Sequence, residues 1–277
     1  MVGISTPDAR RWFFLAVVLV GVAQAPARAA EQAGQADGFQ ATLDRVQQRR
    51  AALSKRYARA RTEPEKRAIK QEARRFVTRM LVDEIFPAWM GTPWHMGEDD
   101  DAALPHQSGK RVSCSYFVTA ALLNVGLVLD DRRRWAESPA LHIQRSLAPR
   151  VRDMHRFFSL TPQALADRLA RLPAGLYVIG LNCHVGFVRV KPGGVWFIHS
   201  DYVEPEIGVR AESLATSAAI SNSRGTGYWV TPLFQDDRLI GHWLTGRSVP
   251  LLRLGMVPNQ PPAGGAPGPS TRLLFLD

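Results

Sequence analysis

The stretch HVGFVRVKPGGVWFIHS (184–200) restricts the fold more than any other part of the chain. Two runs rich in β-branched and aromatic residues flank Lys191-Pro192-Gly193-Gly194, a turn composition, so the stretch predicts an antiparallel hairpin. If Val190 pairs with Val195, His199 falls opposite Gly186, two residues along from His184. Opposed residues, and neighbours two apart on one strand, share a face of the sheet. Both histidines then project from the same side within reach of each other, and Gly186 puts no side chain between them. A one-residue slip would send them to opposite faces.

The chain has two cysteines. Cys114 lies in RVSCSYFVTAALLN (111–124), where an apolar helix begins, with apolar residues at 117, 118, 121, 122 and 125 and Gly126 to end it. Unpaired N–H groups and the macrodipole at a helix N-terminus favour an anion and lower a thiol pKa. An imidazole that takes the thiol proton completes a thiolate–imidazolium pair, and a second polar group orients that imidazole. His184 and His199 suit these roles, and the backbone N–H of Cys114 suits an oxyanion. The strand alternation turns Cys183 away from His184, which makes a Cys114–Cys183 disulfide hard to build. Zinc bound by Cys114, His184 and His199 is a competing reading, although no acidic general base of known motif accompanies it. The thiol reading requires no metal and no cofactor.

The first residues read as an export signal over 1–29. Arg10 and Arg11 supply the charged region, Trp12 to Val22 the apolar run, and Ala27-Arg28-Ala29 a small-x-small cleavage site. The run is short for a bilayer span, which leaves an uncleaved anchor as the alternative, and the paired arginines hint at the twin-arginine route. The expectation is an exported protein, periplasmic in a Gram-negative bacterium or secreted. The formal charge is +10, and residues 41–80 hold thirteen Lys or Arg against four acids, an excess of +9. Such a face suits an anionic envelope surface, or is simply a solvated helix. Without aromatic interleaving or a reader motif it does not point to nucleic acid.

A small polar linker (30–38) leads into a helical pattern. Thr62-Glu63-Pro64-Glu65 divides it by a capping box into helices at about 39–60 and 63–86, a basic appendage over 39–88 that Pro87 closes. Short elements separated by Gly and Pro follow. TPQALADRLAR (161–171) reads as a helix, GLYVIGL and GYWVTPLF as strands, and RLIGHWLTG as helix or strand. One α+β domain over 89–257 results, a cysteine-bearing helix ahead of antiparallel strands, with a Pro/Gly-rich tail at 258–277 that reads as disordered. Trp135, Trp229 and Trp243 read as core. His106, His142, His155 and His242 read as surface or packing residues. Asp201 and Tyr202 could contact substrate, but a solvated hairpin end accounts for them as well.

The order of motifs resembles the NlpC family of papain-like cell-wall peptidases. GTPWHMGE (91–98), SCSYF (113–117), PAGLYVI (173–179), HVGFV (184–188) and FIHS (197–200) follow that family's sequence of stretches over roughly 89–203. The resemblance implies a papain-like NlpC-type domain with Cys114 as nucleophile, His184 as base and His199 as the third polar residue. It implies a cysteine peptidase or amidase acting on peptidoglycan stem peptides, with Trp94, Ser113, Ser115 and Tyr116 near the substrate. The family's Asp before the cysteine is Ser113 here, the Gly two after it is Tyr116, its active-site Tyr is Trp94, and its pGDl acid is missing. These departures bear on substrate rather than on chemistry. A thiol amidase or acyltransferase on another envelope substrate, a toxin-like effector, and a non-catalytic envelope-binding protein on a decayed peptidase scaffold stay open as alternatives.

Overall fold

The structure, a computed structural model, describes residues 37–97, 104–105, 109–225 and 227–252. The expected signal peptide, nearly all of the linker, the Pro/Gly-rich tail and His106 lie outside the described residues. Helices α1 (37–59) and α2 (Glu63–Met80) part where the sequence turns to Thr62-Glu63-Pro64-Glu65. The Thr62 hydroxyl accepts from the Glu65 N–H, and the Glu65 carboxylate accepts from the Thr62 N–H. Pro64 occupies the first turn, where an N–H would have no helical partner anyway.

The rod does not stop at Pro87. It widens into one π turn (Leu81–Ile85) and continues as α3 (Phe86–Trp89), which contains the proline. In an α-helix a proline ring strikes the carbonyl four residues earlier; the wider turn displaces that carbonyl, so the rod carries Pro87 inside it.

Further helices are α4 (Cys114–Asn124), α5 (Arg132–Ala136), α6 (Ala140–Leu147), α7 (Pro162–Leu169), α8 (Ala218–Asn222) and α9 (Asp237–Thr245). The strands are β1 (His155–Phe157), β2 (Gly175–Gly180), β3 (Val185–Lys191), β4 (Gly194–Ser200), β5 (Val209–Ser213) and β6 (Tyr228–Leu233). They form one antiparallel sheet in the order β1-β6-β2-β3-β4-β5, so the fold is α+β. RLIGHWLTG is helical, within α9. The hairpin has the expected register, Val190 against Val195 and Phe187 against Ile198.

Strand alternation sorts the sheet's side chains into two cores. Leu176, Val178, Val185, Phe187, Ile198 and Leu233 face one, shared with α1–α4 and α9. Tyr177, Ile179, Val188, Val190, Phe197 and Val230 face the other, under α7 and α8. The N-terminal helices thus share a core with the sheet. Helix α4 lies deep in that core: Phe117 to Leu122 and Asn124 are all buried, and the Asn124 amide oxygen accepts from the Trp89 indole at 3.1 Å. A helix apolar nearly all round belongs in an interior, not at a surface. Trp135 and Trp243 are fully buried, but Trp229 is only partly so. It stands on β6 against the Arg156 guanidinium of the neighbouring edge strand β1, where no helix covers it fully.

Backbone bonds tie the segment before α4 to the end of the hairpin. Gly91 N–H donates to the Val209 carbonyl and Val209 N–H to the Thr92 carbonyl, Trp94 donates to Pro205, and Val112 donates to Pro93. The Ser200 hydroxyl at the end of β4 donates to the Val112 carbonyl at 2.6 Å, two residues before the cysteine. Gly208 closes this junction with φ +65°, and a Cβ there would overlap the Thr92 carbonyl. We expect Gly208→Ala to lower unfolding free energy by at least about 1–3 kcal/mol in a urea titration, from left-handed backbone strain plus the overlap. An unchanged midpoint would contradict this packing.

Candidate active site

Cys114 is the first residue of α4, with Ser113 as an extended N-cap that makes no side-chain capping bond. Helix N-termini leave N–H groups without intrahelical partners. The N–H groups of Ser115 and of Cys114 itself bear on the sulfur, as does that of Val185, the residue after His184. These contacts favour the thiolate. Burial opposes them and is the larger effect, so the Cys114 thiol is pushed above its ordinary pKa. The expected lowering does not occur, because the packing around the half-buried Cys114 outweighs the helix terminus. Cys114 rests as a thiol.

His184 lies just before β3, in a tight turn where Leu181 N–H donates to the His184 carbonyl. Its Nε2 lies 2.9 Å from His199 Nδ1. The two rings meet edge to face, and Phe197 stacks on His199 with centroids 4.0 Å apart. Gly186 makes room for this contact: a Cβ there would come within 2.9 Å of His199 Cβ and 2.8 Å of the Ile198 carbonyl oxygen. The geometry expected from the hairpin is therefore present, with both histidines buried. Burial, and then the neighbouring His199, hold the His184 pKa well below the usual imidazole value. It is neutral at pH 7.

The chain of contacts continues to a residue the sequence reading missed. His199 Nε2 lies 3.3 Å from Glu212 Oε1 on β5. Burial raises the Glu212 pKa, but the bonds from His199 and Ser217 and the charge of Arg210 outweigh it, so Glu212 is a carboxylate. A carboxylate only accepts hydrogen bonds, and that assigns the tautomers in sequence. His199 carries its proton on Nε2 and donates to Glu212. Its Nδ1 is then an acceptor, so His184 donates from Nε2. His184 Nδ1 is left with a lone pair, and this buried atom has no hydrogen-bond partner among the described residues. It is a base awaiting a proton.

Cys114 and His184 line one cavity of ≈ 480 Å³, together with Ser113, Ser115, Tyr116 and Glu137. The Tyr116 hydroxyl reaches Glu137 at 3.5 Å. Of the candidate substrate residues, Ser113, Ser115 and Tyr116 are thus at the cavity, and Trp94 is not among its lining residues. Trp94 lies tilted against Tyr202, ring centroids 6.4 Å apart, and the Tyr202 ring in turn lies 5.0 Å from that of His184. Asp201 is buried rather than solvated at a hairpin end: it accepts from the Val203 N–H and pairs with Arg210 at 3.3 Å. Both cysteines are free. Cys183 lines the same cavity instead of turning away, because residues 181–184 form a turn and strand alternation begins only at Val185.

The donor atoms of Cys114, His184 and His199 do not converge on a shared ion, since the facing histidine nitrogens bond each other. His199, Asp201 and Glu212 have donors within 4.8 Å of one another, but Arg210 already lies against both carboxylates. No family model, curated protein or solved structure matches the chain.

Two outcomes follow from this arrangement. Because the folded state holds His184 unprotonated and the unfolded chain does not, the unfolded state binds more protons below about pH 6.5, and stability falls as pH drops below that value. Thermal melts between pH 7 and pH 5 should show a smaller loss for His184→Gln than for the native chain; equal losses would contradict the buried neutral imidazole. A Glu212→Gln amide can donate to His199 Nε2, reverse both tautomers and place a proton on His184 Nδ1. Ring-nitrogen NMR should record that reversal, and an unchanged His184 tautomer would refute the role given to Glu212.

Proposed function

We propose that the chain is an exported cysteine amide hydrolase with a papain-like NlpC-type domain, acting on peptidoglycan stem peptides. The observation that carries this reading is the unpartnered, buried Nδ1 of His184, a residue that lines the same cavity as Cys114. A structural thiol or a satisfied core histidine would need neither the open nitrogen nor the relay behind it. The family resemblance of residues 89–203, the hairpin pair His184–His199 and the amino-terminal export pattern support the same reading.

The reaction begins with attack of Cys114 Sγ on the amide carbon while His184 Nδ1 takes the thiol proton. A thiol with a raised pKa calls for removal of its proton by a general base during attack. Cys114 N–H, free of helical bonding, serves the oxyanion. His199 and Glu212 stabilise the imidazolium that forms. The C–N bond then breaks, His184 returns its proton to the leaving amine, and an acyl thioester remains on Cys114. Water, deprotonated by His184, attacks the thioester; the C–S bond breaks, and the sulfur recovers the proton. Ser113, Ser115, Tyr116 and Glu137 lie where the groups flanking the scissile bond would contact the wall of the cavity.

Purified sacculi incubated with the protein should release stem-peptide fragments identifiable by mass spectrometry. Cys114→Ala should reduce that release by on the order of 10⁴-fold or more, as for loss of a nucleophile elsewhere. His199→Ala should cost at least about tenfold through disorder of the base. Intact sacculi would count against a wall substrate. Equal release by the Cys114→Ala chain would sink the thiol mechanism itself.

A further inference from the structure

Six of the thirteen basic residues at 41–80 are held in ion pairs, and two of the others, Arg75 and Arg79, line one hollow. Arg45 pairs with Glu84, Arg49 and Arg56 with Glu72, Lys66 with Glu63, and Lys70 and Arg74 with Asp237. Arg75 and Arg79, one turn apart on α2, have no ion-pair partner among the described residues. Nor does Arg189 or Lys191, two apart on one face of β3. These four side chains from two elements meet around a hollow of ≈ 500 Å³ between the end of α2 and strands β2 and β3. One carboxylate, Asp83, lies among them.

A second hollow of ≈ 520 Å³ adjoins the first and shares Val82, Arg189 and Lys191 with it. Its walls are Phe86 and Met90 of the rod and Trp196, Ile198 and Ala211 of the sheet, with no acidic residue. Trp196 stands 38% exposed there, with the Lys191 ammonium 5.3 Å from its ring centroid. An indole and a lysine stem at the rim of an apolar trough are amphipathic groups placed between oil and water. The π turn at Leu81–Ile85 lies where the two hollows join. Such turns interrupt a helix at a cost in hydrogen bonding and recur at functional sites.

We propose that this continuous groove is a binding site for an anionic lipid. The acyl chain lies in the hollow walled by Phe86, Met90, Trp196 and Ile198, and the headgroup lies on Arg75, Arg79, Arg189 and Lys191. Each hollow has the volume of a small-molecule site. A free phosphate or a polyanion would satisfy only the basic half, and an uncharged chain only the apolar half. An amphiphile with an anionic head fills both. The inference stands apart from the reaction at Cys114, since none of these residues lines that cavity.

The test uses the full-length chain and dodecyl phosphate below its micelle-forming concentration. Binding is read from the fluorescence of Trp196, taken as the difference between the native chain and Trp196→Phe. We expect saturable binding, with inorganic phosphate and the neutral amphiphile decyl maltoside at least tenfold weaker. The double variant Arg79→Glu/Arg189→Glu should bind at least tenfold more weakly at an unchanged melting temperature. Should that variant not fold, Lys191→Glu takes its place with the same expectation. The apolar stretch at 12–22 is common to all these chains and cancels between them. Sedimentation with vesicles should show the same variants losing attachment to phosphatidylglycerol and not to phosphatidylcholine. Cys114→Ala should bind as the native chain does, which separates this site from the hydrolase reading. Equal affinity for decyl maltoside or for inorganic phosphate would overturn the proposal. So would native binding by the charge-reversed chain, or self-association through Trp196 without amphiphile binding.

Discussion

The register of β3 against β4 is the constraint on which the rest of this molecule depends. With Val190 opposite Val195, His184 and His199 come together on one face of the sheet, while Arg189 and Trp196 pair on the other. A shift of β3 by one residue would exchange its faces alone, putting Arg189 and Lys191 into the core beneath α7 and α8 and parting His184 from His199. The cost of burying unpaired charge excludes that alternative far more firmly than the turn residues alone would. Both the relay and the basic groove are consequences of one pairing.

The relay also illustrates how a weak set of contacts acquires direction. Two neutral imidazoles in contact can share their proton either way round. A carboxylate at one end removes the choice, and the assignment then passes through His199 to His184. Glu212 touches nothing at the cavity, yet it decides which nitrogen of His184 is a base. Arg210 performs a similar service for Glu212, lying 3.6 Å from its second oxygen while also holding Asp201. The electrostatics of the site are set on β5, two strands away from the one that follows His184.

The sequence was legible where a local rule and a tertiary contact coincide. The hairpin turn and β-branched runs imply the histidine contact, the Thr62–Glu65 box divides the first two helices, and Gly126 ends α4. The edge strand β5 was not legible, because VRAES is short, its alternation rests on Val209 and Ala211 alone, and it is held in place by the backbone of β4. Glu212 was hidden with it. The thiol pKa was misjudged for a related reason: the helix-terminus effect is local and readable, whereas the burial that outweighs it belongs to the packing of α4. Pro87 and Cys183 repeat the lesson on a smaller scale, each obeying a turn that the rule applied to it did not include.

Helix α4 is walled in on nearly every side, and this has a consequence for how the site can move. A helix enclosed by Phe86, Trp89, Phe187 and its other neighbours cannot slide or tilt without opening the centre of the protein. The nucleophile is therefore anchored in the core that α4 shares with the sheet, and the far end of the relay, through Phe197, in the core on the opposite face. What is left free is the single side-chain torsion of Cys114 and the turn at 181–184 that carries His184. Adjustment between thiol and imidazole is confined to those few bonds, like the play between two jaws set on either side of one plate.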